Sequence, residues 1–292
     1  MIPPPFEYAA PRTIPEAVGL LVQEKNAKIL AGGQSLIPMM KFRLATPAFL
    51  VDINRIGGLE YVREEDGWLK IGALTREAML EQSALVRSRY PLLADTTRLI
   101  ADPSVRNLAT LGGNLSHADP ANDHPAAMLA YEAQVTASGS SGSRTIAIQE
   151  FFSGPFESVL AHDEILPEIR MPVPKPRSTG AYVKMERRVG DFATAAVAVQ
   201  IQLDMNDQCV AAGIGLTNVG LMPIKASQAE HSLLGKPIDD AAIREAARLA
   251  GEAADPQDDQ RGSADFKRSL VKTLTVRALR AALARMNMNG GM

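Results

Sequence analysis

The sequence predicts an α+β fold in three subdomains, on three observations. Residues 1–55 alternate helix-like and strand-like stretches in the manner of a small α/β unit. A proline-punctuated stretch, Pro172-Val173-Pro174-Lys175-Pro176, then marks a boundary late in the chain. Beyond it, two β-rich runs precede a helical end. The expected units are an N-terminal subdomain over 1–55, a middle one over 56–172, a C-terminal one over 173–286 and a frayed tail over 287–292. At 292 residues, the chain is long enough to bury a sizeable core in this arrangement.

In chain order, Thr13-Ile14-Pro15-Glu16 is a helix start: a threonine cap, an early proline and a glutamate three residues on. Ala17, Val18, Leu20 and Leu21 would face the core from that helix. Ala27 to Leu30 then reads as a short strand delivering a glycine turn, and Phe49 to Ile53 as a second buried strand. In the middle region, Trp68 to Ile71 is strand-like, a helix is expected from Thr75, and another from Pro91 to Ala101, ended by Asp102-Pro103. The small-residue run Ser138 to Ser143 reads as a hairpin turn. In the last third, Ala193 to Leu203 and Val210 to Val219 read as adjacent antiparallel strands. Helices are expected at about Ala226 to Leu234, Asp239 to Ala254 and Ser263 to Met286.

The composition excludes several classes of function. Charged residues make up 22%, the net charge is −2 and no basic block stands out, which argues against nucleic acid as a partner. Met1-Ile2-Pro3-Pro4-Pro5 lacks the charged and apolar regions of a signal peptide, and the apolar runs are too short to span a bilayer. The expectation is a cytoplasmic protein with at most peripheral membrane association. Cys209, the single cysteine, cannot hold an iron–sulfur cluster, which needs about four ligands, and reads as an inert core residue. His117, His124, His162 and His231 show no zinc spacing. His117 and His124 read as loop hydrogen-bonders, Asp119 as an Asx-turn residue, and Arg187-Arg188 as a solvated pair or an interface patch. No metal ligands and no acid–base pair for catalysis emerge.

Two glycine-rich segments carry the positive signal. Ala31-Gly32-Gly33-Gln34-Ser35 follows the apolar Ile29-Leu30, and Thr110-Leu111-Gly112-Gly113-Asn114 stands almost eighty residues later. Adjacent glycines beside small polar side chains suit a backbone that approaches an anion closely and turns its N–H groups toward it. Two such loops suggest one long diphosphate held from both sides. Neither segment continues as the G-x-G-x-x-G of a Rossmann turn, and no G-x-x-x-x-G-K-[ST] run occurs. The implied ligand is a dinucleotide in a cradle of another kind.

The ordered set of motifs resembles the FAD-binding subunit of the molybdenum hydroxylases, a group that includes aerobic carbon monoxide dehydrogenase and xanthine dehydrogenase. The resemblance runs through Ala31 to Lys41, Leu99 to Arg106, Thr110 to Pro125, Glu164-Ile165-Leu166 and Arg187 to Ala196, covering almost the whole chain. Within the group, Ser35 to Pro38 and Leu216 to Val219 look most similar to the medium subunits of aerobic carbon monoxide dehydrogenases. The resemblance implies a PCMH/vanillyl-alcohol-oxidase-type FAD fold, with the third subdomain covering the flavin. It implies that Ala31, Gly32, Gly33, Gln34 and Ser35, with the segment Thr110-Leu111-Gly112-Gly113-Asn114, hold the pyrophosphate through backbone N–H groups, without need of a helix dipole or lysine, and that Leu36 also belongs to the cofactor site. It further implies that Asp123 accepts from sugar or ribityl hydroxyls, that Leu166 and Ile100 lie beside the ring system, and that Lys184 stands at its polar edge. Taken alone, Lys184 reads as a solvated charge on an amphipathic strand. By the same resemblance, Phe192 would lie against the flavin face, at a position where several relatives carry Tyr or Ile; a phenylalanine there cannot donate a hydrogen bond.

The implied function is electron transfer. A large molybdenum subunit would carry the molybdenum cofactor, a small subunit two [2Fe-2S] clusters, and FAD on this chain would pass electrons to an external acceptor such as a quinone, in a dimer of heterotrimers. The alternatives are the flavin subunit of a xanthine, aldehyde or N-heterocycle dehydrogenase, a stand-alone FAD oxidoreductase, or a non-redox nucleotide-binding module.

Overall fold

The computed structural model describes residues 2–289. Its three parts are built on separate sheets. In the first, β1 (Glu7–Ala9), β2 (Ala27–Leu30) and β3 (Phe49–Asp52) form a parallel sheet in the order β1-β3-β2, with α1 (Ile14–Gln23) and α2 (Leu36–Lys41) in the connections. The start of α1 follows local rules: the Thr13 hydroxyl accepts the Glu16 N–H, and the Glu16 carboxylate accepts the Arg12 N–H at 2.8 Å. Ala17, Val18 and Leu21 from α1 pack on Val51 of the central strand.

The middle part opens with β4 (Val62–Glu65) and β5 (Trp68–Gly72). Six short helices follow: α3 (Glu77–Gln82), α4 (Ala84–Arg89), α5 (Pro91–Arg98), α6 (Pro103–Arg106), α7 (Leu111–His117) and α8 (His124–Ala130). The hairpin β6 (Gln134–Gly139) and β7 (Gly142–Ala147), the small pair β8 (Phe152–Gly154) and β9 (Glu157–Ser158), and β10 (Ile165–Pro172) complete it. The sheet is antiparallel in the order β4-β5-β10-β6-β7, so β10 returns to the centre and ties both ends together.

The last part is an antiparallel sheet of β11 (Ser178–Met185), β12 (Ala195–Leu203), β13 (Cys209–Thr217) and β14 (Ile224–Lys225). Alternation decides which face goes where. Val197, Val199 and Ile201 of β12 point to α10 (Asp240–Ala253) and α11 (Ala264–Asn289), with α9 (Ser227–Leu233) closing the edge. Ala196, Ala198 and Tyr182 face the other way and join the core of the middle part through α5 and α8. Small residues allow that close approach: a Cβ on Gly213 or Gly215 would lie 2.1 Å from the Ala130 carbonyl oxygen or 2.0 Å from that of Ala126.

Four sequence expectations are corrected. The helix expected from Thr75 begins at Glu77, because the Thr75 hydroxyl is engaged by the Tyr61 backbone, accepting its N–H and donating to its carbonyl. The helix expected to reach Ala101 stops at Arg98, since Ala101 adopts a left-handed φ of 45° and Asp102 caps a new helix. The second glycine pair is not a loop: Gly112 and Gly113 form the first turn of α7. The tail expected to fray from Asn287 remains helical through Asn289, and residues 290–292 lie outside the described residues.

Candidate functional site

The first glycine segment joins the end of β2 to α2. Gly33 takes a φ of +73°, a conformation that costs an L side chain but not glycine, and it reverses the chain just before the helix. Among the described residues, no protein acceptor pairs with the N–H groups of Gly32, Gly33, Gln34, Ser35 and Leu36. Five consecutive unpaired donors around a positive-φ glycine make a concavity suited to an anion. The Ser35 hydroxyl makes no capping bond and remains free to join them.

The second segment differs in a way its sequence did not reveal. The N–H groups of Leu111, Gly112 and Asn114 donate to the carbonyls of Thr75, Ala73 and Thr110, and that of Gly113 donates to the Thr110 hydroxyl. Its backbone donors from Leu111 onward are therefore occupied, correcting the expectation that both segments offer free N–H groups. Its glycines serve close packing instead. A Cβ on Gly112 would sit 2.6 Å from Ala73 Cβ, and one on Gly113 2.7 Å from the Thr110 hydroxyl. The two segments also meet: a Cβ on Gly32 would fall 2.2 Å from the Leu108 carbonyl oxygen. Asn114 Oδ1 is buried without a protein partner among the described residues, and the Asn114 carbonyl accepts from Asn122 Nδ2 at 2.8 Å.

That contact leads to the adjacent Asp123 and a buried charge cluster. Asp123 Oδ2 accepts from Lys184 Nζ at 3.0 Å, and its Oδ1 accepts from the Tyr182 hydroxyl at 2.6 Å. Lys184 also donates to the Leu99 carbonyl at 3.0 Å and lies 3.3 Å from Glu186 Oε2. With 1% of its side chain exposed, Lys184 is not the solvated charge that its strand position suggested. Burial pushes the Asp123 carboxyl above its ordinary range, against the opposing pull of Lys184 and Tyr182. The same burial, with the carboxylate beside it, raises the Tyr182 phenol well above its own.

Ile100 is buried next to Leu99 and so stands beside the Lys184 contact. Phe192 lies in the loop between β11 and β12, 46% exposed. That loop leans on the same segment, because Gly190 packs against Ala101, and Arg261 fixes it by donating to the Phe192 carbonyl and pairing with Asp191. A cavity of about 580 Å³ opens at Arg187–Asp191. Leu166 is buried in the middle core beside Pro167, whose carbonyl accepts the Ala73 N–H under Gly112. The predicted residues thus fall into a turn group and a charge group, linked by Asn122, with Leu166 and Phe192 outside both hydrogen-bonded sets.

The remaining polar residues have definite places. The Asp119 carboxylate accepts the Ala121 N–H at 2.9 Å, an Asx turn. His117 is not a loop residue: it ends α7, and its ring packs on Phe156 with centroids 5.3 Å apart and planes tilted by 56°. His124 is not a loop residue either: it opens α8, fully buried, with Nε2 2.7 Å from Glu77 Oε2. Cys209 is the core residue expected, and burial raises its thiol to about 11. Sequence reasoning missed Tyr182 and Glu77 because their partners, Asp123 and His124, lie far away in the chain, and Glu186 because its neighbour Lys184 read as a solvated charge. No helix among the described residues is long and apolar enough to cross a membrane.

Known proteins match the chain along nearly its whole length. Residues 4–174 match the family described as the FAD binding domain in molybdopterin dehydrogenase, and residues 180–282 the CO dehydrogenase flavoprotein C-terminal domain. The chain is 44% identical to the carbon monoxide dehydrogenase medium chain of Hydrogenophaga pseudoflava, covering 98% of this chain and 99% of that one. It is 38% identical to the glyceraldehyde dehydrogenase medium chain of Sulfolobus acidocaldarius, covering 96% and 99%. A solved structure of carbon monoxide dehydrogenase from Hydrogenophaga pseudoflava superposes with a TM-score of 0.95 at 45% identity, covering 98% of this chain and 99% of that one.

Proposed function

Because the chain belongs to the FAD-binding subunits of the molybdenum hydroxylases, we propose that it serves as the medium subunit of a cytoplasmic aerobic carbon monoxide dehydrogenase. The observation that supports the cofactor's place best is the row of five unpaired N–H groups from Gly32 to Leu36. Charge-assisted hydrogen bonds to phosphate are roughly twice as strong as neutral ones, so these donors would hold one end of the pyrophosphate. Thr110, Gly112, Gly113 and Asn114 would close the cradle from the other side. Their part is shape and the buried Asn114 side chain rather than backbone donors.

Asp123 and Lys184 would orient the sugar–flavin half as a pair. Asp123 already accepts from Tyr182 and Lys184, and its remaining lone pairs are the ones left for a ribityl hydroxyl. Leu166, Ile100 and Phe192 would line the ring, with Arg261 holding the Phe192 loop in place. FAD, when bound, supplies exchange of electrons singly with iron–sulfur clusters and in pairs with an acceptor. In this assignment the chain binds, orients and shields the cofactor. A large molybdenum subunit and a small subunit with two [2Fe-2S] clusters would complete a dimer of heterotrimers that delivers electrons to an external acceptor. The units 1–55, 56–172 and 173–286 would be the two halves of the cradle and the flavin cover.

The 38% identity to a glyceraldehyde dehydrogenase medium chain favours an aldehyde-oxidising complex as the second reading. One experiment separates them. The complex captured through a tag on this chain is expected to contain flavin, iron, molybdenum and two further chains, and to oxidise carbon monoxide with an artificial acceptor. Turnover of aldehydes but not carbon monoxide would establish the second reading, and a colourless complex that takes up no FAD would overturn both.

A further inference from the structure

Asn54 and Arg76 join the two glycine segments across a subdomain boundary. Asn54 lies just beyond β3, in a 3-10 turn, and its Nδ2 donates to the Ala31 carbonyl at 2.8 Å, at the foot of the first turn. The same amide nitrogen donates to Asp52 Oδ1 at 2.6 Å, which fixes the side-chain rotamer. Asn54 Oδ1 accepts from one terminal nitrogen of Arg76 at 2.6 Å, and the other terminal nitrogen donates to the Leu108 carbonyl at 3.0 Å. Leu108 O is the atom that a Cβ on Gly32 would strike, so the guanidinium lies at the point where the two turns touch. Arg76 is also bridged to Thr110 through the backbone.

The guanidinium fork therefore bonds one acceptor on each side of the cradle, a task for which a lysine, with a single nitrogen, is poorly suited. Neither residue belongs to a glycine motif, and the chain positions that they connect are 22 and 32 residues apart.

We propose that Asn54 and Arg76 form a clamp that sets the spacing of the two glycine turns for a diphosphate, as positioning residues for the pyrophosphate of FAD. The proposal rests on the flavin reading above. A cradle already held at its working width loses less freedom when the anion is bound, and this appears as affinity. The clamp acts on the diphosphate alone, since both of its carbonyl acceptors belong to the turn region and neither to the Asp123–Lys184 cluster.

The test uses the flavin-depleted complex captured through a tag on this chain. Affinities are measured for FAD, for ADP and for lumiflavin, which lacks the diphosphate. Arg76→Ala is expected to weaken FAD and ADP by about tenfold each, the equivalent of about 1.4 kcal/mol, and to leave lumiflavin unchanged. Asn54→Ala should do the same, the double variant should be no worse than either single one, and Arg76→Lys should recover less than half of the logarithmic loss. A variant that merely loosens the subdomains would weaken lumiflavin together with FAD, and that result would overturn the clamp, as would unchanged FAD affinity. A wild-type complex that binds ADP but not FAD would overturn the flavin reading instead.

Discussion

Lys184 shows how a single residue comes to matter through its burial. Its ammonium is sealed among Asp123, Glu186 and the Leu99 carbonyl. Removing one member of a buried pair leaves the other charge uncompensated, which costs about 3–5 kcal/mol. Lys184→Met should therefore lower the urea midpoint severely, and adding Asp123→Asn should restore part of the loss. If the double variant were less stable than Lys184→Met, Asp123 would not be the group that Lys184 compensates. Gly32 matters for the opposite reason, the lack of a side chain. A Cβ there would meet the Leu108 backbone carbonyl oxygen at 2.2 Å, and no rotamer change relieves such a clash. Gly32→Ala should push the turns apart and release FAD in dialysis while the far-UV spectrum stays native; full retention would place the pyrophosphate elsewhere.

At the scale of elements, α9 is tied to β13 by a buried carboxyl. Glu230 Oε1 accepts the Ile214 N–H at 2.8 Å, and Lys225 stands 3.7 Å from its other oxygen. Burial raises the Glu230 carboxyl above its ordinary range, so the folded state holds that proton more tightly than the unfolded one. The associated stability is complete below the unfolded value and is lost as pH rises through the folded one. Glu230→Gln keeps the acceptor for Ile214 and removes the charge. It should stabilise the protein at pH 7 and change little at pH 4, a difference visible in paired urea titrations; an equal effect at both values would place its cause outside ionisation. Elements governed by neighbours in sequence were legible beforehand. The Thr13 cap, the Ser138–Ser143 hairpin and the β12–β13 pairing all follow from residues within a few positions of each other or from plain alternation. The α7 helix was not, because each glycine costs a helix about 1 kcal/mol and only a contact with Ala73, far away in the chain, makes Gly112 favourable there. In the candidate site, the glycine turn after β2 was visible locally. The pairing of Asp123 with Lys184 spans 61 residues and that of Asn54 with Arg76 spans 22, separations that leave no local pattern.

At the scale of the whole molecule, the C-terminal helix is connected to the charge cluster by a continuous set of polar contacts. Near the end of α11, Arg285 donates to both oxygens of Asp95 on α5, at 2.6 and 2.8 Å, and to the Gly180 carbonyl on β11. Asp95 Oδ2 also accepts the Tyr182 N–H at 3.3 Å, and the Tyr182 hydroxyl donates to Asp123. Residues 190 apart in sequence thereby hold β11 at the height that brings Tyr182 and Lys184 to Asp123. The aliphatic face of α11 is buried regardless, through Val271, Leu274, Ala278 and Ala282, so losing Arg285 should not detach the helix. Hydrogen bonds to charged groups contribute about 1.5–3 kcal/mol each, and Arg285→Ala should cost about 2 kcal/mol in all, because its side chain is partly solvated and water replaces some of what is lost. The change should be directed rather than diffuse. Amide exchange should quicken at Tyr182 and its β11 neighbours, while the amides of α10, which packs on α9 and α11 in the core turned away from the Tyr182 side chain, keep their protection. Equal loosening of both would mean that Arg285 serves global stability only; loosening at β11 alone would show that the last helix holds in register the strand on which Lys184 sits.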